Sequence, residues 1–251
     1  MDEKYWDTVA LDYDGEIFSS VANDRNDVIV SAITRFSRKN AVACDFGCGV
    51  GKFLPVLASS FRHIHAIDIS DRLLAQARSN CTGIENITYY KNDLSKTAKS
   101  PKDIDFALCV NVAIMASSNI RADIFKTISK CLRKNGHLVL VVPSLESALL
   151  ADYRLLQWNR KAGLSEAEAL WEFEDLDEDD NLSIRQGLVD INGTATKHYL
   201  KEELAAMFGD LALEIVTIEK VQYAWDTEFD QPPKWMEAPY PWDWLAILKK
   251  V

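Results

Sequence analysis

The chain is short of cysteine, proline and glycine, with five, seven and ten in 251 residues. The cysteines, Cys44, Cys48, Cys81, Cys109 and Cys131, form no CxxC pair, which speaks against a disulfide framework or a zinc ribbon. The separation of Cys44 and Cys48 and their apolar setting favour small packing residues over a redox or metal pair, so no metal is expected. Basic residues are also scarce: Lys and Arg total 28 against 38 Asp and Glu, a formal net charge of -10. A nucleic-acid footprint is normally basic, so neither a nucleic acid nor an anionic membrane surface is an expected partner. No apolar run approaches the length of a membrane span. Met1 to Trp6, Met-Asp-Glu-Lys-Tyr-Trp, lacks the apolar centre of a secretory leader. Unpaired cysteines and no leader lead us to expect a cytoplasmic location.

What is present is a strand–helix alternation. An amphipathic helix is expected over Asp24–Arg38, with Val28, Ile29, Ala32, Ile33 and Phe36 on one face. A strand over Ala41–Phe46 ends in a glycine-rich turn, and a helix over Lys52–Phe61 follows. The next strand, His63–Ile69, carries Asp68 at its end, and Ser70 caps a helix through Arg78. Ile87–Tyr90, Asp105–Asn111 and His137–Val142 read as further strands, the last two nearly uniform in apolar character as strands buried on both faces should be. A helix over Arg121–Arg133 lies between them, with Gly136 placed to end it. This rhythm predicts a single doubly wound α/β domain over residues 1–251, its sheet mostly parallel.

The rhythm breaks twice. Residues 1–23 mix acids with Tyr5, Trp6, Tyr13 and Phe18 and are expected to form an N-terminal arm. After Pro143, residues 144–199 carry two helix-like pieces, Glu146–Arg160 and Ser165–Phe173, then the acidic run Glu172–Asp180, read as a solvated face. A structureless loop that long is improbable in a compact domain, so an inserted cap is expected. A helix over Lys201–Phe208 and strands over Glu214–Tyr223 and Trp244–Lys249 close the chain. The Pro- and Trp-rich stretch 232–244 is expected to pack on the sheet edge.

The turn after the first strand carries the chemistry. Gly47, Gly49 and Gly51 alternate behind Asp45. Glycines let a ligand approach the main chain, and the helix that follows offers unpaired N–H groups to an anion. The dinucleotide pattern GxGxxG would need its third glycine where Lys52 stands, so that spacing fails. The arrangement Asp45-x-Gly-x-Gly-x-Gly51, with Asp68 and Asp93 at later strand ends, resembles the class I S-adenosylmethionine-dependent methyltransferases. The resemblance covers residues 24–142 and reaches the last two strands more loosely.

That resemblance implies a seven-stranded Rossmann-like methyltransferase fold with S-adenosyl-L-methionine as cofactor. It implies Asp68, with Ile69 beside it, at the ribose hydroxyls, and Asp93 and the Leu94 backbone at the adenine. Asn111 would face the methionine part and the acceptor, and Tyr13 the methionine carboxylate. The turn itself, Asp45, Gly47, Cys48, Gly49 and Gly51, would hold the methionine end. Methyl transfer from a sulfonium is an in-line displacement on an activated donor, so positioning and desolvation can suffice.

The acceptor is less legible. Asn111 is followed by Val-Ala-Ile-Met115 rather than Pro-Pro-Tyr, which removes support for the adenine or glutamine-amide acceptors of similar enzymes. A small or moderate-sized molecule is the expected acceptor, with Tyr5 and Trp6 at the mouth of the site. His198, with Tyr199 beside it, is the candidate general base, the other histidines falling in strands. Two alternatives stay open: a non-catalytic S-adenosylmethionine-binding regulator and a nucleotide-dependent oxidoreductase. No oligomeric state is indicated.

Overall fold

The first strand, β1 (Arg38–Phe46), is buried from Ala43 to Phe46 and pairs in parallel on both sides. It belongs to a computed structural model that describes residues 1–13, 18–96, 100–174, 183–191 and 193–251, with the backbone alone for 171–174. The elements ahead of β1 are α1 (Glu3–Val9), α2 (Ser20–Asn23) and α3 (Val28–Arg35). After it come α4 (Leu54–Ser60), β2 (Phe61–Asp68), α5 (Asp71–Asn80), β3 (Ile87–Lys91), β4 (Ile104–Val110), α6 (Ser118–Cys131) and β5 (Leu132–Pro143). The C-terminal half adds α7 (Leu145–Lys161), α8 (Glu166–Glu174), β6 (Leu188–Ile191), β7 (Thr194–Lys197), α9 (Lys201–Met207), β8 (Leu213–Gln222) and β9 (Trp242–Lys250).

Seven strands form one sheet in the order β3-β2-β1-β4-β5-β9-β8. All pairs through β5 are parallel, while β9 runs antiparallel to both β5 and β8. The expected doubly wound architecture is therefore observed. The order reverses between β1 and β4, and in such sheets a crevice opens there, outside the carboxyl ends of the strands.

Helices cover both faces. On one, Ile29 and Ile33 of α3, Leu54 and Leu57 of α4 and Leu74 of α5 pack against Ala43, Ile64 and Phe106. On the other, Ile124, Phe125 and Ile128 of α6 and Leu204 of α9 pack on Phe46, Cys109 and Leu140. All five cysteines are buried and unpaired, acting as small apolar residues in these layers.

Several boundaries differ from the sequence expectation. The helix expected from Asp24 begins only at Val28. The Asp24 carboxylate accepts from Asn26 and Ile29 N–H groups, at 3.3 and 2.8 Å, so residues 24–27 form an Asx-type turn instead of helix. Gly136 does not end α6, which stops at Cys131, but lies within β5. A Cβ there would sit 2.8 Å from the Ile104 carbonyl oxygen, so its smallness serves close strand approach.

The N-terminal segment is fastened to α5. Ser70 Oγ donates to Asp7 at 2.5 Å, Arg72 to the Asp7 carbonyl at 3.0 Å and Gln76 to the Ala10 carbonyl at 2.6 Å. Between β5 and α9 the chain builds α7, α8 and a separate two-stranded sheet, β6 with β7. Lys197 at the end of β7 donates its backbone N–H to the Ile114 carbonyl at 2.8 Å, which sets this hairpin beside the segment that follows β4. The acidic run Glu172–Asp180 lies outside the described residues, apart from the backbone of 172–174. In the stretch 232–244, Met236, Trp242 and Trp244 are buried, and β9 already begins at Trp242. Among the described residues, no helix is long and apolar enough to cross a membrane.

Candidate active site

The carboxyl ends of β1, β2 and β4, the start of the segment after β3 and the N-terminal segment enclose one cleft. Its space, open mouth included, is about 1060 Å³, at the upper end for a small-molecule site. Tyr13, Asp45, Gly47, Cys48, Gly49, Asp68, Ile69, Asp93, Leu94 and Asn111 all line it. Gly51 does not: it turns away beneath α5, where a Cβ would meet Leu54 and Ala77.

The turn's shape follows from its glycines. Gly47 and Gly49 have φ of +76° and +52°, which costs glycine little. The space is equally restrictive. A Cβ on Gly47 would overlap a Val112 methyl, and one on Gly49 would lie 2.7 Å from the Tyr13 hydroxyl oxygen. Gly47 and Cys48 N–H both donate to the Ile67 carbonyl, at 2.7 and 2.9 Å, which anchors the turn to β2.

Asp68 completes that anchor. Its Oδ2 accepts from Gly49 N–H and its Oδ1 from Ser70 N–H, both at 2.9 Å. Burial pushes its pKa up, while hydrogen bonds from Ser70, Gly49 and Ile69 pull the other way. Asp45 is more deeply buried, 2% exposed, and its Oδ2 has no hydrogen-bond partner. Burial first, then the Asp68 charge, raises its pKa to about 7. Asp93 behaves oppositely. Against the upward push of partial burial, Lys96 at 2.8 Å and Ser95 hold its carboxyl below the ordinary range.

Asn111 leaves β4 with φ of +53°, a conformation Asn tolerates better than most residues. Its Nδ2 donates to Ser20 Oγ at 3.3 Å and to Asp243 Oδ2 at 3.4 Å, and its Oδ1 is buried with no partner. Two acceptor oxygens, on Asp45 and Asn111, thus lie buried and unmatched in residues of the cleft wall. Such groups carry a desolvation cost that a ligand's N–H or O–H would relieve. Cys48 is no nucleophile, because burial drives its thiol pKa well above ordinary. Among the described residues, no group of three or more His, Cys, Asp or Glu could hold a metal ion.

His198 and Tyr199 do not belong to this wall. Tyr199 is fully buried in the core with its hydroxyl donating to the Ala113 carbonyl, and burial raises its pKa. His198 is 9% exposed with Nδ1 3.1 Å from the Thr196 carbonyl, and burial lowers its pKa. The cleft therefore does not bring the expected general-base pair together with the other site residues: the Tyr199 hydroxyl is committed to backbone within the core, and His198 Nδ1 lies against the Thr196 carbonyl. Tyr5 is likewise absent from the lining, whereas Trp6 is present.

Sequence reasoning missed Ser20 and Asn92, which also line the cleft, and Asp243 and Tyr223 behind Asn111. Asn92 stands next to Asp93 and was open to discovery. Ser20 and Asp243 have no local signal, since only the path of the arm and the β5–β9 pairing bring them near.

Residues 43–136 match the family model described as a methyltransferase domain. No curated protein matches the chain in sequence. Among solved structures, a methyltransferase from Methanosarcina mazei superposes with a TM-score of 0.61 at 17% identity, over 88% of this chain and 97% of its own. An N-methyltransferase from Bradyrhizobium japonicum, in complex with S-adenosyl-L-homocysteine, gives 0.62 at 12%, over 99% and 97%. A magnesium protoporphyrin IX methyltransferase from Synechocystis, also with S-adenosylhomocysteine bound, gives 0.59 at 15%, over 99% and 97%. At such identities the likeness establishes the fold.

Proposed function

We propose that the chain is a class I S-adenosylmethionine-dependent methyltransferase, an enzyme that uses S-adenosylmethionine to methylate a small or moderate-sized acceptor by in-line displacement; the methyltransferase-domain match over residues 43–136 and the shared fold support this reading. The observation that carries this reading is convergence. Asp45, Asp68 and Asp93, far apart in sequence, line one cleft together with the glycine turn and Asn111.

The residues fit the cofactor's chemistry. It supplies a methyl group already activated on a sulfonium, so the protein's task is to bind, orient and exclude water. We assign the ribose hydroxyls to Asp68 with Ile69, and the adenine to Asp93 and the Leu94 backbone. The methionine end falls to Tyr13, Asp45, Gly47, Cys48, Gly49 and Asn111. The unmatched oxygens of Asp45 and Asn111 suit an ammonium, which brings three donors and a positive charge.

The acceptor reading is supported by a net charge of -10 and by the apolar side chains of Trp6, Phe18 and Met115 in the cleft lining. The structural neighbours described as an N-methyltransferase and a magnesium protoporphyrin IX methyltransferase indicate what this fold accommodates without identifying the acceptor. We read the chain as one domain, with 1–23 as an arm over the cofactor and 144–199 as a cap over the acceptor. Five unpaired cysteines favour a reducing compartment such as the cytoplasm.

A thermal-shift screen with S-adenosylmethionine and S-adenosylhomocysteine tests the reading. Both should raise the unfolding midpoint, and turnover to S-adenosylhomocysteine with a metabolite pool should follow. A midpoint indifferent to both ligands would refute it.

A further inference from the structure

Behind the cleft wall lies a polar group that the cofactor reading leaves unused. Asp243 is the second residue of β9, is 9% exposed, and pairs across to Pro143 at the carboxyl end of β5. Its Oδ2 accepts the Tyr223 hydroxyl at 2.8 Å and Asn111 Nδ2 at 3.4 Å. It is absent from the cleft lining and reaches that wall through its hydrogen bond to Asn111. Burial raises its pKa to about 6 against the opposing pull of Tyr223 and Asn111, and its Oδ2, which takes both hydrogen bonds, stands as an acceptor.

A carboxyl oxygen that receives the Tyr223 hydroxyl is an acceptor. The oxygen facing Asn111 therefore admits only the amide's Nδ2, and Ser20 Oγ can accept from the same nitrogen. The amide cannot turn over without setting its oxygen against a carboxylate. Its Oδ1 is consequently left as the buried, unmatched atom.

We propose that Asp243 is a positioning residue that fixes the Asn111 amide with Oδ1 presented to the cofactor's α-ammonium group. The proposal rests on the cofactor assignment above and adds the reason why Asn111 faces one way. The expected division of labour is specific: Asp243 governs affinity at the methionine end and leaves the adenosine end untouched.

Calorimetric titration of the purified protein with two probes tests it. S-adenosylhomocysteine carries the α-amino acid, and 5′-methylthioadenosine lacks it. Asp243→Leu should weaken S-adenosylhomocysteine about tenfold and leave methylthioadenosine unchanged. Asp243→Asn keeps an oxygen at the same place and should restore the affinity. Asn111→Gly, compatible with the positive φ there, should lose the same tenfold, and the double variant no more than either alone. If Asp243→Leu does not fold, Asn111→Gly decides, since retained S-adenosylhomocysteine affinity in that variant overturns the proposal. So do equal losses for both probes, additive losses in the double variant, or no rescue by Asp243→Asn. Failure of both probes to bind the unaltered protein removes the cofactor reading itself, and the proposal with it.

Discussion

The Asp68 carboxylate accepts the Gly49 N–H at 2.9 Å, so the residue that ends β2 is fastened to the turn that follows β1. Its other oxygen takes Ser70 N–H. Both partners are donors, so an amide in place of the carboxylate can satisfy only one. Asp68→Asn and Asp68→Ala should each cost about 1–3 kcal/mol, the penalty of a buried unpaired N–H, or a few degrees in midpoint for a chain of this size. Each should also abolish most of the midpoint rise given by S-adenosylhomocysteine. Full retention of that rise by Asp68→Ala would undo the ribose assignment.

Gly47→Ala meets two obstacles, a φ of +76° and the Val112 methyl. The first costs about 1 kcal/mol for an alanine, and the overlap adds to it. Shortening the neighbour in Gly47→Ala/Val112→Ala should recover the steric part and leave the backbone part. Chemical denaturation of the two variants, compared with Val112→Ala alone, separates them. Equal stability of Gly47→Ala and the unaltered protein would mean that the turn is not held as described.

Asp45, Asp68 and Asp93 were readable because each follows an apolar run, and a strand end in a parallel sheet has only one edge to reach. Asn111 shared that advantage. The boundaries of α3 and α6 were not readable. Asp24 diverts its turn through side-chain hydrogen bonds, and Gly136 answers to the Ile104 carbonyl across the sheet. Periodicity along one segment is blind to both. His198 and Tyr199 fall outside the cleft lining for a related reason: polarity along the chain does not tell whether a side chain reaches open space. The hydrogen bond from Tyr199 to Ala113, 86 residues away, is invisible in the chain. Asp243 was hidden likewise, as one acid among tryptophans whose role depends on a strand paired from the far end of the sequence.

Tyr199→Phe removes the hydroxyl that donates to the Ala113 carbonyl. It should lower stability by about 1 kcal/mol, the net worth of such a bond, and leave S-adenosylhomocysteine affinity unchanged. His198→Gln should leave that affinity unchanged as well. Paired titrations and melting curves check both. A tenfold loss of affinity in either variant at an unchanged midpoint would return these residues to the site.

Asp45 should give the free protein a distinctive pH profile. Its folded-state pKa is about 7 against an ordinary 3.8, because burial and Asp68 disfavour the charge. An acid whose pKa rises on folding holds its proton in the native state where the unfolded chain has lost it, so stability falls as pH rises between those values. Asp45 therefore contributes a decline from about pH 4 to about pH 7 and nothing further above that. Asp45→Asn should remove this component and raise the midpoint of the free protein at pH 8. Binding couples in the other direction: a ligand ammonium favours the ionised carboxylate, so affinity for S-adenosylhomocysteine should strengthen as pH rises through 7. Melting curves from pH 5 to 8, with and without ligand, read both trends on one sample. A midpoint rise that is independent of pH, in a protein whose free stability does not fall over this range, would remove Asp45 from the role.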